Sequence, residues 1–256
     1  ALVERIKQSP RVADVDHVLK VTTESQHAWD KGYESEFSPE SPGLADSGKK
    51  HHIIAYDFGA KRNILRSLVA CGLEVTVVPA DTPPEAVLEQ NPSGVFLSTG
   101  PGDPEVCAYG IAAAKRLVQE VPVFGICLGH QLLAHVFGGK TYKMGFGHHG
   151  GNQPVIDLTT DKVEITSQNH SYAVDEASLP DSVIVTHKNL NDDTVEGLRH
   201  KELPVFSVQY HPEAAPGPHD ALYLFKRFVA MLEGTGTRVC LSSLSQKSRQ
   251  SNGCTR

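Results

Sequence analysis

Gly125-Ile126-Cys127-Leu128-Gly129 has the form Gly-x-nucleophile-x-Gly, and it falls between a run that reads as a strand and one that reads as a helix. A nucleophile in that position needs a tight turn so that its side chain stands clear of the sheet end, and small flanking residues let the chain turn. The helix that begins after Cys127 points its positive end at the sulfur, which favours thiolate. The rival reading is a small buried hydrophobe beside glycines needed for strand–helix packing. Further along, Val205–Tyr210 runs into His211-Pro212-Glu213. In extended chain, residues i and i+2 point the same way, so a carboxylate at 213 can orient an imidazole at 211 and stabilise its cation. That imidazole could take the proton of a thiol. Taken alone, a His-x-Glu triplet is more often a solvated pair, and 13 histidines make chance pairs easy.

Ser98-Thr99-Gly100-Pro101-Gly102-Asp103-Pro104 follows a third strand-like run. Its glycines could present backbone N–H groups to an oxyanion, although an ordinary Gly-Pro turn has the same composition. No Gly-Lys-Ser/Thr follows, which argues against a phosphate loop. Metal binding is the other rival chemistry. His51, His52, His148, His149, His170 and His211 are available, but no His-Glu-x-x-His or Cys-x-x-Cys spacing occurs, so no metal site is expected. His17 and His135 read as structural or solvated.

The elements that must position these residues form two textures. From His52 the chain alternates strand and helix. His52–Asp57, Glu74–Val78, Val95–Ser98 and Pro122–Ile126 read as strands. Ile64, Leu65, Leu68 and Val69 recur at helical spacing, and Glu85–Gln90, Ile111–Glu120 and Leu128–Phe137 read as helices. This rhythm implies a parallel sheet covered by helices, so the predicted fold is α/β, with a mixed, mostly parallel sheet and helices on both faces. In such a sheet ligands collect at the carboxyl ends of the strands, which puts Cys127 and the Gly100–Gly102 loop on one edge. After Thr141 the pattern turns strand-rich, with Val163–Thr166, Val183–His187, Val195–Leu198 and Val205–Gln209, and Asp220–Leu232 closes as a helix. Residues 1–40 are polar and weakly patterned, 41–50 have linker composition, and the Ser-rich, acid-free 234–256 reads as a disordered tail.

The formal charge of −6, from 24 Lys+Arg against 30 Asp+Glu, argues against a nucleic-acid partner. No apolar run reaches the ~20 residues of a membrane span. The start has neither a signal-peptide pattern nor an initiator Met, and reads as internal to a longer chain. Five scattered cysteines imply no disulfide framework and fit a reducing, cytoplasmic setting.

Together, Gly125-Ile126-Cys127-Leu128-Gly129-His130-Gln131, His211-Pro212-Glu213 and the upstream Gly-Pro-Gly-Asp loop resemble the class I, triad-type glutamine amidotransferases. Three further blocks, Ala55–Asn63, Phe146–Pro154 and His211–Asp220, are similar to the small, glutaminase-chain family of carbamoyl-phosphate synthetases. The resemblance runs from about residue 51 to 233. It implies a flavodoxin-like core, with residues 1–40 as the end of an amino-terminal domain. It makes Cys127 the nucleophile, His211 the base and Glu213 its orienter. It places L-glutamine against Gly100, Gly102, Leu128, Gln131, Asn169, Ser171 and Tyr172, with the backbone at Leu128 and Gly100–Gly102 holding the oxyanion. It implies no cofactor in this chain. A large partner chain with ATP and Mg would receive the ammonia through an internal tunnel and make carbamoyl phosphate from bicarbonate, for arginine or pyrimidine synthesis.

Ser171-Tyr172 stands where the family usually has Gly-Phe; the family's glutamine contacts at that turn are largely backbone, so the expectation is tolerance of the change, with some shift in affinity. Most of the amino-terminal domain, which in the family lends a residue to the glutamine site, is not in the chain. Two alternatives stay open: a glutaminase domain serving another synthetase, such as those for anthranilate or GMP, and an inactive regulatory homologue.

Overall fold

The computed structural model describes residues 2–33 and 50–234. The predicted tail, apart from Gly234, and the predicted linker, apart from Lys50, lie outside the described residues. In chain order the elements begin with an exposed helix α1 (Leu2–Gln8) and a short strand β1 (His27–Trp29). The alternating region is β2 (His52–Asp57), α2 (Arg62–Ala70), β3 (Glu74–Pro79), α3 (Pro84–Leu88), β4 (Gly94–Leu97), α4 (Ala108–Leu117), β5 (Val123–Ile126) and α5 (Leu128–Val136). The strand-rich region is β6 (Lys140–Asp157), β7 (Lys162–Asp175), β8 (Val183–Asn189), β9 (Val195–His200) and β10 (Val205–Val208), closed by α6 (Tyr223–Leu232).

The strands β3-β2-β4-β5-β10 are parallel neighbours. Their segments are short apolar runs because helices cover both faces and leave no side for polar residues. Ile53 and Ala55 point to the face under α2 and α6, and Ile54 and Tyr56 to the face under α3, α4 and α5. On the first face Phe124 stacks on Phe206 at 4.3 Å between ring centroids and meets Phe96, Phe225 and Phe228. The stripe Ile64, Leu65 and Leu68 seats α2 there.

The rest of the sheet departs from the mostly parallel expectation. β1 pairs antiparallel with β3. β9, β7, β6 and β8 pair antiparallel in sequence, and β8 returns to β9, closing a ring. The physical reason is connection length. Only residues 158–161 join β6 to β7, too few for the crossover a parallel pair requires. β10 is the shared strand, parallel to β5 on one side and antiparallel to β9 on the other. No described helix is long and apolar enough to cross a membrane.

Candidate active site

Cys127 sits between β5 and α5 with φ 55° and ψ −101°, a conformation that L side chains avoid. Holding it there costs about 1–3 kcal/mol, and the surroundings over-determine it. The Cys127 N–H donates to the Val208 carbonyl at 2.9 Å, and the Gly129 N–H to the Ser98 carbonyl at 3.1 Å. The two flanking glycines are steric necessities. A Cβ on Gly125 would lie 2.8 Å from the Gly129 carbonyl, and one on Gly129 would run into the Leu97 carbonyl. The turn therefore clamps β4, β5, β10 and α5 around the sulfur. Cys127 is only 4% exposed.

β10 leads into Gln209, Tyr210 and His211. The His211 N–H donates to the Ser167 carbonyl of β7 at 2.8 Å, so the imidazole stands where the parallel half meets the ring of antiparallel strands. His211 Nδ1 is 2.9 Å from Glu213 Oε1, which leaves Nε2 for the Cys127 side chain, close enough to act on the ring's proton affinity. Glu213 is fully buried. Lys61, at the start of α2, reaches its Oε1 at 2.7 Å and the Ala214 carbonyl at 2.9 Å. Burial opposes charge on His211, yet the Glu213 carboxylate and the hydrogen bonds to Cys127 and Glu213 outweigh it and push its pKa up to about 10. Burial also opposes the Glu213 carboxylate, but His211 and Lys61 hold its pKa below the usual value. The result is a buried line of sulfur, imidazolium and carboxylate with the half-buried Lys61 ammonium behind it, able to supply a nucleophile and a proton donor at one point.

Beside His211 opens a cleft of about 520 Å³. Gly59, Lys61 and Thr99–Pro101 line it from the parallel half, and Gly150, Gly151 and Ser167–Asn169 from the antiparallel half. Of the residues predicted to hold substrate, Gly100 and Asn169 lie in this wall. Leu128 and Gln131 are buried in α5. Gln131 donates to the Tyr172 carbonyl at 2.9 Å and to Gln209 Oε1 at 3.0 Å, so only its oxygen is left for a ligand. Gly102, Ser171 and Tyr172 are not lining residues. Burial of the Tyr172 hydroxyl, with the Asp103 carboxylate of the loop after β4 nearby, pushes its pKa up to about 12. Asn169 is paired with His149 at 3.0 Å. Lys61 belongs to the site but was not singled out from sequence. Its only signal there is its place inside the Ala55–Asn63 block. His52 and His135 make structural contacts, with Thr76 and Thr141.

A strained cysteine elbow facing a His–Glu pair on the carboxyl edge of a parallel sheet defines a class. Residues 54–231 match the family Glutamine amidotransferase class-I, and the chain belongs to it. Within that class the chain is similar to proteins named carbamoyl phosphate synthase small chain. It is 52% identical over 235 residues to the one from Syntrophotalea carbinolica, covering 91% of this chain and 61% of that protein. It is 52% identical over 238 residues to the one from Nostoc sp., covering 91% and 60%. The chain thus spans about three fifths of the length of the curated relatives it matches. Among solved structures, a putative GMP synthase component from Thermoplasma acidophilum superposes with a TM-score of 0.64 at 21% identity, covering 72% of this chain and 94% of that one. That likeness is one of fold.

Proposed function

We propose that this chain hydrolyses L-glutamine to glutamate and ammonia and passes the ammonia to a large synthetase chain. That chain would make carbamoyl phosphate from bicarbonate and ATP, with its own Mg. The observation that carries the reading is the buried Cys127–His211–Glu213 line beside a cleft walled by both halves of the sheet. The similarity to carbamoyl phosphate synthase small chains supports the choice of partner over other synthetases.

In this reading Cys127, as the thiolate paired with the His211 imidazolium, attacks the side-chain amide carbon of glutamine. A C–S bond forms, and the amide oxygen takes the electron pair. Backbone N–H groups at Leu128 and in the Gly100–Gly102 loop hold that oxyanion, the first turn of a helix having N–H groups without intrahelical partners. His211 Nε2 gives its proton to the amide nitrogen, the C–N bond breaks and ammonia leaves. Water then gives a proton to His211 and attacks the thioester, the C–S bond breaks, and glutamate departs. Glu213, held by Lys61, orients the ring. Gly102, Gln131, Asn169, Ser171 and Tyr172 complete the glutamine site.

Residues 51–233 form the amidotransferase unit in this reading, and 1–40 the end of a preceding domain. The five parallel strands follow the order 2-1-3-4-5 when numbered along the chain, which supports a flavodoxin-like core extended by the antiparallel ring. The free thiols Cys71, Cys107 and Cys127 support a cytoplasmic setting. The decisive measurement is ammonia release from glutamine, with and without an ATP-binding large chain. Cys127→Ala should lower it about 1,000-fold or more. Equal release by both proteins would sink the proposal.

A further inference from the structure

The antiparallel register sets His148 of β6 directly across from His170 of β7, and Glu196 of β9 comes up beside them. Donor atoms of all three lie within 4.8 Å of one another. The three residues are 7%, 6% and 0% exposed. Gln168 Oε1 lies 3.0 Å from His148 Nδ1 and 2.7 Å from His170 Nε2, and Glu196 Oε1 lies 3.2 Å from His148 Nδ1. Glu196 Oε2 is buried without a hydrogen-bond partner among the described residues.

The protons of this cluster do not balance. His170 Nδ1 is 2.8 Å from the Tyr172 carbonyl and so carries the ring's proton. Its Nε2 lone pair then faces the Gln168 carbonyl oxygen, acceptor against acceptor. The Gln168 amide nitrogen donates to Thr166 Oγ1 at 3.1 Å and that hydroxyl to the Gln153 carbonyl at 2.9 Å, which turns the amide oxygen toward the two imidazoles. His148, His170, Glu196 and the Gln168 amide oxygen thus bring four possible ligand atoms to one point.

We propose that His148, His170 and Glu196, with the Gln168 amide oxygen as fourth donor, form a divalent-cation site inside the closed ring of strands, suited to zinc. Two imidazoles with oxygen donors in a closed, buried set match that ion. The outer nitrogens have the partners that orient metal-binding imidazoles, the Tyr172 carbonyl for His170 and Asp192 Oδ2 at 2.9 Å for His148. The ion ties together β6, β7 and β9. Motif spacing does not reveal the site, because its ligands come from three strands rather than one helix or knuckle.

The test uses the full chain carrying Cys127→Ala, so that this thiol does not compete for metal. After equilibrium dialysis against zinc or cobalt(II), elemental analysis should find one equivalent per chain, and the cobalt form should show the intense visible absorption of a four-coordinate site. Glu196→Gln should lose that equivalent. Asp192→Asn should bind about 10- to 100-fold more weakly, and His27→Gln, on the exposed β1, should bind as before. No bound equivalent, or undiminished binding by Glu196→Gln, overturns the proposal. If circular dichroism shows Glu196→Gln unfolded, the cobalt spectrum and the Asp192→Asn affinity decide: a six-coordinate spectrum with unchanged affinity overturns it. None of these readouts uses glutamine hydrolysis, so the outcome is independent of the proposed activity.

Discussion

His211 is a buried base that keeps its proton, and that has a consequence for stability. Its folded pKa is raised to about 10, against about 6.5 for an unperturbed imidazole. The folded state therefore binds the proton more tightly than the unfolded chain. The stabilisation is fully present below about pH 6.5 and is lost as pH rises through about 10. Replacing Glu213 by Gln removes the carboxylate that sustains the cation and leaves burial to oppose it. Urea-unfolding midpoints between about pH 6 and pH 10 should fall with pH in the wild type, and Glu213→Gln should be flatter over the same window. Parallel curves would refute this account of the pair. Cys127, His211 and Glu213 were legible in the sequence because a tight turn and an i, i+2 pair are local patterns. Lys61 was not, because its bond to Glu213 is made only when β2 and β10 enter one sheet.

At the scale of elements, the elbow depends on how closely α5 approaches β4. A methyl on Gly129 meets the backbone carbonyl of Leu97 rather than a movable side chain, so the helix itself has to shift. Gly129→Ala should cost about 1–3 kcal/mol of stability and lower the turnover number of glutamine hydrolysis, because Leu128 and the sulfur move with the helix. Chemical denaturation and steady-state kinetics measure both, and a variant as stable as wild type would show that the approach is looser than described. The alternating strands and helices were readable because each has a simple period, and only their ends moved, as in α6 starting at Tyr223 rather than Asp220. β6 was not readable. Its Gly145, Gly147, Gly150 and Gly151 break the period, and its pairing with β7 shifts register between Lys143 and His148 and again between Gly150 and Gln153. Those irregularities are what bring Gly150 and Gly151 to the cleft wall.

At the scale of the molecule, the two halves divide the work proposed for the site. The parallel half carries Cys127 and the N–H groups assigned to the oxyanion, while the antiparallel ring carries Asn169 and the Gly150–Gly151 wall. Changes that act within the ring should therefore affect binding more than chemistry. Gly197 in β9 offers the place to test this: its backbone pairs with Val208 of β10, but a Cβ there would press on the His187 ring and lie 2.8 Å from Thr186 Oγ1, both on β8. Gly197→Ala should spread β8 from β9, cost about 1–3 kcal/mol, and loosen the β6–β7 wall that leans on the ring's closure. Removing interactions made equally with bound substrate and transition state raises KM and leaves kcat in place. The expected signature is a several-fold higher KM for glutamine at nearly constant kcat, opposite to that of Gly129→Ala. A glutamine-like chloroketone should label Cys127 with the same limiting rate in Gly197→Ala but require a higher concentration to reach half of it. A fall in kcat at unchanged KM would show that the ring positions His211 directly, through the Ser167 carbonyl that holds its N–H, and that the two halves act as one unit.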